Sequence, residues 1–171
     1  LAALQRYDVV ILSDVGSNSL LFHPEMLTQS VRHPNRLALL REYVRAGGAL
    51  LMVGGWMSFA GVDGRARYHR TPVEDALPVT CEPYDDRQEV PEGITPEVVA
   101  PEHPVLVGMP ADWPFFLGYN RVALKDGASE LLRIGQDPLL AAWDDGQGRA
   151  AAFTSDCAPH WGPPEFLRWP G

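Results

Sequence analysis

Cys157 and His160 stand three residues apart, with Asp156 beside the cysteine. A thiol and an imidazole at close range are a nucleophile and a base, the pair that acyl transfer needs. Both lie in one short polar and aromatic loop, Ser155–Trp161. The same residues suit an inert thiol beside a ligand-binding imidazole. Ser58 is the other candidate nucleophile, inside Gly54-Gly55-Trp56-Met57-Ser58-Phe59-Ala60-Gly61. This segment has the position of a nucleophile elbow, a cramped step out of a strand with small residues around the attacking atom. The slot after Gly55 holds Trp56 or Met57, and neither can attack a carbonyl. Ser58 has Trp56 and Ala60 two residues to either side, a setting that also suits a hydroxyl bracing the turn. Cys81 has no evident base near it in the sequence.

Other chemistries find less support. His23-Pro24-Glu25, His69 and His160 offer ligand atoms, but none has the paired spacing of a zinc motif, so no metal is expected. The single lysine, Lys125, is not part of a Gly-x-x-x-x-Gly-Lys-Ser/Thr run, which excludes a P-loop. No Gly-x-Gly-x-x-Gly follows a strand pattern, and no cofactor is expected.

The elements that must position these residues follow from hydrophobic pattern. Tyr7–Ser13 is a β-branched apolar run closed by Asp14-Val15-Gly16-Ser17-Asn18, a strand buried on both faces and then a loop. Asn35 is a good N-cap for a helix over about 35–46, with Leu37, Leu40, Tyr43 and Val44 at helical spacing. Gly47-Gly48 ends that helix, and Ala49–Val53 is a second buried strand. Strand, helix and strand at this spacing predict a right-handed βαβ unit with parallel strands. Residues 17–34 are ambiguous, with two His-Pro steps that disfavour helix at His23 and His33.

Residues 62–118 differ in composition. Nine of the sixteen prolines lie between Pro72 and Pro114, and seven acids between Glu82 and Glu102 face one base, Arg87. The pattern predicts a meandering excursion with a short helix near Thr71–Ala76, one or two short strands, and solvated charge. Beyond Gly118 short strands alternate with turns. Pro138–Trp143 and Arg149–Thr154 pair across Asp144-Asp145-Gly146-Gln147-Gly148 as a hairpin.

In a parallel sheet, ligands sit at the C-terminal ends of the strands. Asp14, Gly16 and Ser17 in the first loop, Gly54, Gly55, Trp56 and Met57 in the second, and His160 in the third should converge there. They are the expected substrate-binding and catalytic groups.

The chain has 171 residues, 46% of them apolar, and a formal net charge of −8. That length fits one domain, residues 1–171, able to bury a real core. The acidic balance argues against nucleic acid as a partner, and no apolar run is long enough to span a bilayer. Two cysteines cannot make a disulfide framework, which points to reduced thiols and a cytoplasmic setting. A small-molecule ligand is the expected partner, and a homo-oligomer is open. Both chain ends read as cut within a longer fold.

Taken together, Tyr7–Asp14 and Arg45-Ala46-Gly47-Gly48-Ala49-Leu50-Leu51-Met52-Val53-Gly54-Gly55 resemble the core of the class I glutamine amidotransferase-like fold. The elbow, His103–Pro110, Tyr119-Asn120-Arg121-Val122 and Phe153-Thr154-Ser155-Asp156 resemble a narrower glutamine amidotransferase group related to the trehalose-utilisation-type proteins. The resemblance spans about residues 6–165. It implies an α/β fold, a flavodoxin-like three-layer sandwich with a mainly parallel sheet, here extended by a β-rich C-terminal half. It also implies a cysteine at the elbow, a downstream histidine followed closely by glutamate, and an oxyanion loop. The cysteine's place falls on Trp56 or Met57, the histidine's near His160, and the loop's on Asp14-Val15-Gly16-Ser17. The expected function is therefore a domain of this kind that binds a small polar metabolite without glutaminase activity. The alternatives are a hydrolase or amidotransferase using Cys157 or Ser58 with His160, and a structural or oligomerisation module.

Overall fold

The β-branched run at the start of the chain forms β1 (Val9–Ser13), and the apolar run after Gly48 forms β2 (Ala49–Val53). They pair in parallel, with Val9 opposite Ala49 and Ser13 opposite Val53. This is a computed structural model, and it describes residues 1–170. Three helices connect the strands: α1 (Ser17–Leu21), α2 (Pro24–Gln29) and α3 (Arg36–Arg45). The stretch left ambiguous by its sequence thus holds two short helices. α3 starts as its cap demands, because Asn35 Oδ1 accepts from the backbone N–H groups of Leu37 and Ala38 at 3.0 and 3.2 Å. It buries Leu37, Leu40, Tyr43 and Val44 against the sheet. Each such side chain contributes roughly 1.5–3 kcal/mol of transfer free energy, so this face is what keeps a ten-residue helix folded.

The excursion is more ordered than its composition suggests. It holds α4 (Pro72–Ala76), β3 (Val79–Cys81), β4 (Arg87–Ile94) and β5 (Glu97–Val98). After it come β6 (Phe116–Asn120), β7 (Val122–Leu124), β8 (Ser129–Ile134), β9 (Asp137–Asp145), β10 (Gly148–Phe153) and α5 (Pro164–Leu167). β3 pairs with β7 and β4 with β6 as two antiparallel ribbons. Where one or two short strands were expected, the excursion has three, one of them eight residues long. β4 tolerates Pro91 because its pairing with β6 is irregular between Glu89 and Ile94, so the missing N–H leaves no gap in a regular ladder.

The main sheet runs β1-β2-β10-β9-β8-β5. β1, β2 and β10 are parallel neighbours, whereas β9, β8 and β5 join antiparallel. The mainly parallel sheet expected from the resemblance is corrected to a mixed one. The cause is local: Asp145 pairs with Gly148, so the chain reverses within a tight hairpin, and a hairpin can only give antiparallel strands. The fold is mixed α/β.

Alternation along the strands sends side chains to two cores. One lies under α3 and α4, with Leu50, Met52, Tyr68, Val73, Leu77, Ala150 and Ala152. The other lies on the opposite face near β8 and β9, with Phe116, Leu131, Leu132, Ile134 and Leu139. That opposite face is bare at the β1 edge, where Val9 is 51% and Ile11 59% exposed.

Candidate functional site

Because β1, β2 and β10 are parallel neighbours, their C-terminal ends share one edge of the sheet. Asp14, the Gly54–Gly61 turn and the Ser155–Trp161 loop leave the sheet there. Asp14 takes φ 52°, a conformation that aspartate tolerates better than most residues. Its Oδ1 accepts from the Met57 backbone N–H at 2.6 Å, and its own N–H donates to Ser58 Oγ at 3.1 Å. Two glycines make this approach possible. A Cβ on Gly54 would lie 2.2 Å from the Thr154 carbonyl oxygen. Gly55 has φ 146°, and a Cβ there would lie 2.8 Å from Asp14 Oδ1.

Across the same edge, the indole Nε1–H of Trp56 donates to His160 Nε2 at 3.0 Å, with the rings edge-to-face at 5.1 Å. Asp14, Trp56, Met57, Ser58 and His160 are therefore joined by direct contacts between three strand ends. The individual environments differ. Ser58 is buried, and its hydroxyl oxygen serves the Asp14 N–H. Ser17 is buried too, but its hydroxyl donates to the Arg67 carbonyl at 2.8 Å, bracing the first loop. Gly16 abuts Met57, whose methyl would stand 2.8 Å from a Cβ at that position. Cys157 is an exposed free thiol. Cys81 is buried, and burial pushes its thiol pKa well up, so it stays protonated.

Four residues of this site carry no signal in motif spacing. Asn120, at the end of β6, clasps the turn: its Oδ1 accepts from Gly55 N–H at 2.8 Å, and its Nδ2 donates to the Gly55 carbonyl at 3.1 Å. The same amide donates to Asp86 Oδ1 at 2.8 Å. Asp86 accepts from the backbone N–H groups of Ala60 and Gly61, each at 2.9 Å. Burial pushes the Asp86 carboxyl up to about 6, although these donors oppose the shift. The expectation of solvated charge across the excursion is corrected here: one of the seven acids between Glu82 and Glu102 is the buried anchor of the turn. Arg87 lies with its guanidinium 4.9 Å from the Trp56 ring centroid and forks onto Asp85 at 3.0 and 2.8 Å. That fork holds the Asp85 carboxyl well below the usual carboxylate range. Glu89 accepts from the buried Trp161 indole at 2.9 Å, and the same oxygen lies 3.7 Å from His160 Nε2.

The result is an aromatic platform. Trp56 is 45% exposed, carries a cation over its face and an imidazole at its edge, and has Glu89 close to that imidazole. On the other side Asp156 is raised by burial and, to a smaller extent, by the charge of Asp14, so the two carboxyls share one neighbourhood. Beside His160 opens a groove of about 450 Å³ lined by Pro91, Phe115, Leu117, Pro159 and Glu165. Trp56, Arg87, Asp14 and Asp156 do not line that groove, but a half-exposed ring beside a guanidinium and an imidazole can stack a small polar ligand.

A family model described as "Putative glutamine amidotransferase" matches residues 1–171. The chain belongs to this glutamine amidotransferase-like family. The cytoplasmic protein STM3548 from Salmonella typhimurium is 47% identical, with a TM-score of 0.95, over 99% of this chain and 68% of that one. The cytoplasmic protein STM1381 from Salmonella typhimurium LT2 is 39% identical at the same TM-score, over 99% of this chain and 69% of that one. A "Putative thua-like protein" from Bacteroides uniformis shares the fold at 14% identity and a TM-score of 0.55, over 91% of this chain and 63% of that one. No curated protein matches the chain. Among the described residues, no helix is long and apolar enough to cross a membrane.

Proposed function

We propose that the strand-end site of this glutamine amidotransferase-like chain binds a small polar metabolite, an amino acid or a sugar, and does not hydrolyse glutamine. The observation that carries this reading is the contact between Trp56 and His160. By the family resemblance the nucleophile's place falls on Trp56 or Met57, and the Trp56 indole N–H occupies the imidazole nitrogen that would otherwise accept a nucleophile's proton. Ser58 is a poor substitute, because it is buried and its oxygen already accepts a backbone N–H. In this reading Trp56 stacks the ligand, Arg87 and His160 orient it, and Asp14 with Asp156 receives its donors.

The alternative is a hydrolase in which Cys157 attacks with His160 as base, favoured by the exposure of that thiol three residues before the histidine. Ammonia release from L-glutamine by the wild type, His160→Ala and Cys157→Ala separates the two. The binding reading expects no release above buffer from any of them. Release by the wild type that either substitution abolishes overturns it.

The finer architecture belongs to the same proposal. The apolar side chains of Val9 and Ile11 on the face opposite α3 support a flavodoxin-like three-layer sandwich in which a further layer covers the β1 edge. Cytoplasmic location and a homo-oligomer are parts of this reading, the first supported by the names of the Salmonella relatives.

A further inference from the structure

His23 is the N-cap residue of α2, and Glu25 lies in its first turn. The helix ends after six residues at Ser30, whose φ of 55° turns the chain back on itself. His33 returns on that reversed segment and stacks on His23, with ring centroids 3.8 Å apart and planes 20° from parallel. Both histidines precede proline, which disfavours helical backbone at each and keeps them at the ends of extended segments. Glu25 Oε2 lies 2.9 Å from His33 Nε2 and 3.7 Å from His23 Nδ1. One donor atom from each of the three residues falls within 4.8 Å of the others.

We propose that His23, Glu25 and His33 bind a divalent transition-metal ion of the zinc class, outside the strand-end site. Two imidazoles and one carboxylate are a donor set such an ion prefers. With bonds of about 2.0–2.1 Å, donors of a tetrahedral site stand about 3.3 Å apart, a value that the two measured oxygen–nitrogen separations bracket. Without an ion, one carboxylate oxygen faces two imidazole nitrogens and satisfies only one of them well. The other, His23 Nδ1, accepts just a long 3.3 Å contact from the Glu25 N–H. An ion between the three donors would engage both imidazoles and the carboxylate at once, and the partial exposure of all three side chains leaves room for water at the remaining position. The site rests on side-chain donors and not on the end of the short helix. It would tie the start of α2 to the segment that enters α3.

The test uses the whole 171-residue chain stripped of metal with a chelator. Cobalt(II) is titrated in while visible d–d absorption is read, and zinc affinity is measured by competition with a chromophoric chelator. One ion per chain and a dissociation constant in the micromolar range or tighter are expected. His23→Ala and His33→Ala should each weaken binding about 100-fold, Glu25→Gln about tenfold, and Cys157→Ser not at all. Circular dichroism of each variant confirms that these surface substitutions leave the fold intact. Absence of saturable binding by the wild type overturns the proposal. So does binding that survives both histidine substitutions, which would place the ion elsewhere.

Discussion

The indole of Trp56 and the imidazole of His160 are joined by a 3.0 Å hydrogen bond that bridges the ends of β2 and β10. Because the indole can only donate, His160 Nε2 is the acceptor in this bond. This bond couples the platform to the loop that carries Cys157 and Asp156.

Removing the donor should loosen that loop with little cost in stability. Trp56→Phe keeps a ring beneath Arg87 and deletes the N–H. Since Trp56 is half-exposed, the expected loss in urea unfolding is about 1 kcal/mol or less. The His160 ring signals in NMR should shift by far more than those of His69, which is held separately by the Cys81 carbonyl at 2.7 Å. Unchanged His160 signals would mean that the bond does not form in solution.

Gly54→Ala tests the close approach of β2 and β10. The added methyl carbon would sit 2.2 Å from a backbone oxygen, and backbone cannot rotate away as a side chain can. The expected cost is roughly 3 kcal/mol or more, measured as a lower unfolding midpoint in urea. A variant as stable as the wild type would show that the strand ends are farther apart.

Much of this was legible in the residues themselves. The β-branched run into Asp14, the Asn35 cap and the Gly47-Gly48 stop identify the βαβ unit, because each is a local signal with a local cause. The convergence of three loops follows from parallel strands. What stayed hidden is non-local. Asp86 looks like any of its six acidic neighbours in sequence, and only the 34-residue separation closed by Asn120 makes it an anchor. The β9–β10 hairpin was legible from its turn residues, but that β8 and β5 would extend the same sheet antiparallel was not, because β5 meets β8 across more than thirty residues of chain. His33 lacks ligand spacing to His23-Pro24-Glu25 and joins it only because the chain reverses at Ser30.

Asp86 makes a pH-dependent prediction. Its carboxyl is raised to about 6 in the fold from an ordinary value of 3.8. The native state therefore holds the proton more tightly than the unfolded chain. The stabilisation from this group is fully present below about pH 3.8 and is lost as pH rises through about 6. Its size is on the order of 3 kcal/mol. Asp86→Asn cannot titrate, and it sets an amide donor against one of the backbone N–H groups that Asp86 now satisfies. At pH 7 it should cost about 2–4 kcal/mol. The stability gap between wild type and variant should widen as pH falls from 7 to 4. A gap that narrows would contradict the buried, proton-binding environment.

The central claim is binding without glutamine hydrolysis, and one NMR experiment reads both halves of it. L-Glutamine, L-glutamate, glucose and trehalose are mixed with the wild type and with Trp56→Ala. Saturation transfer reports binding, and a time course of the same samples reports chemical change. The account predicts transfer to at least one compound in the wild type, its loss in Trp56→Ala, and glutamine signals that stay constant. Glutamine converted to glutamate by the wild type, or transfer that Trp56→Ala leaves untouched, would contradict it.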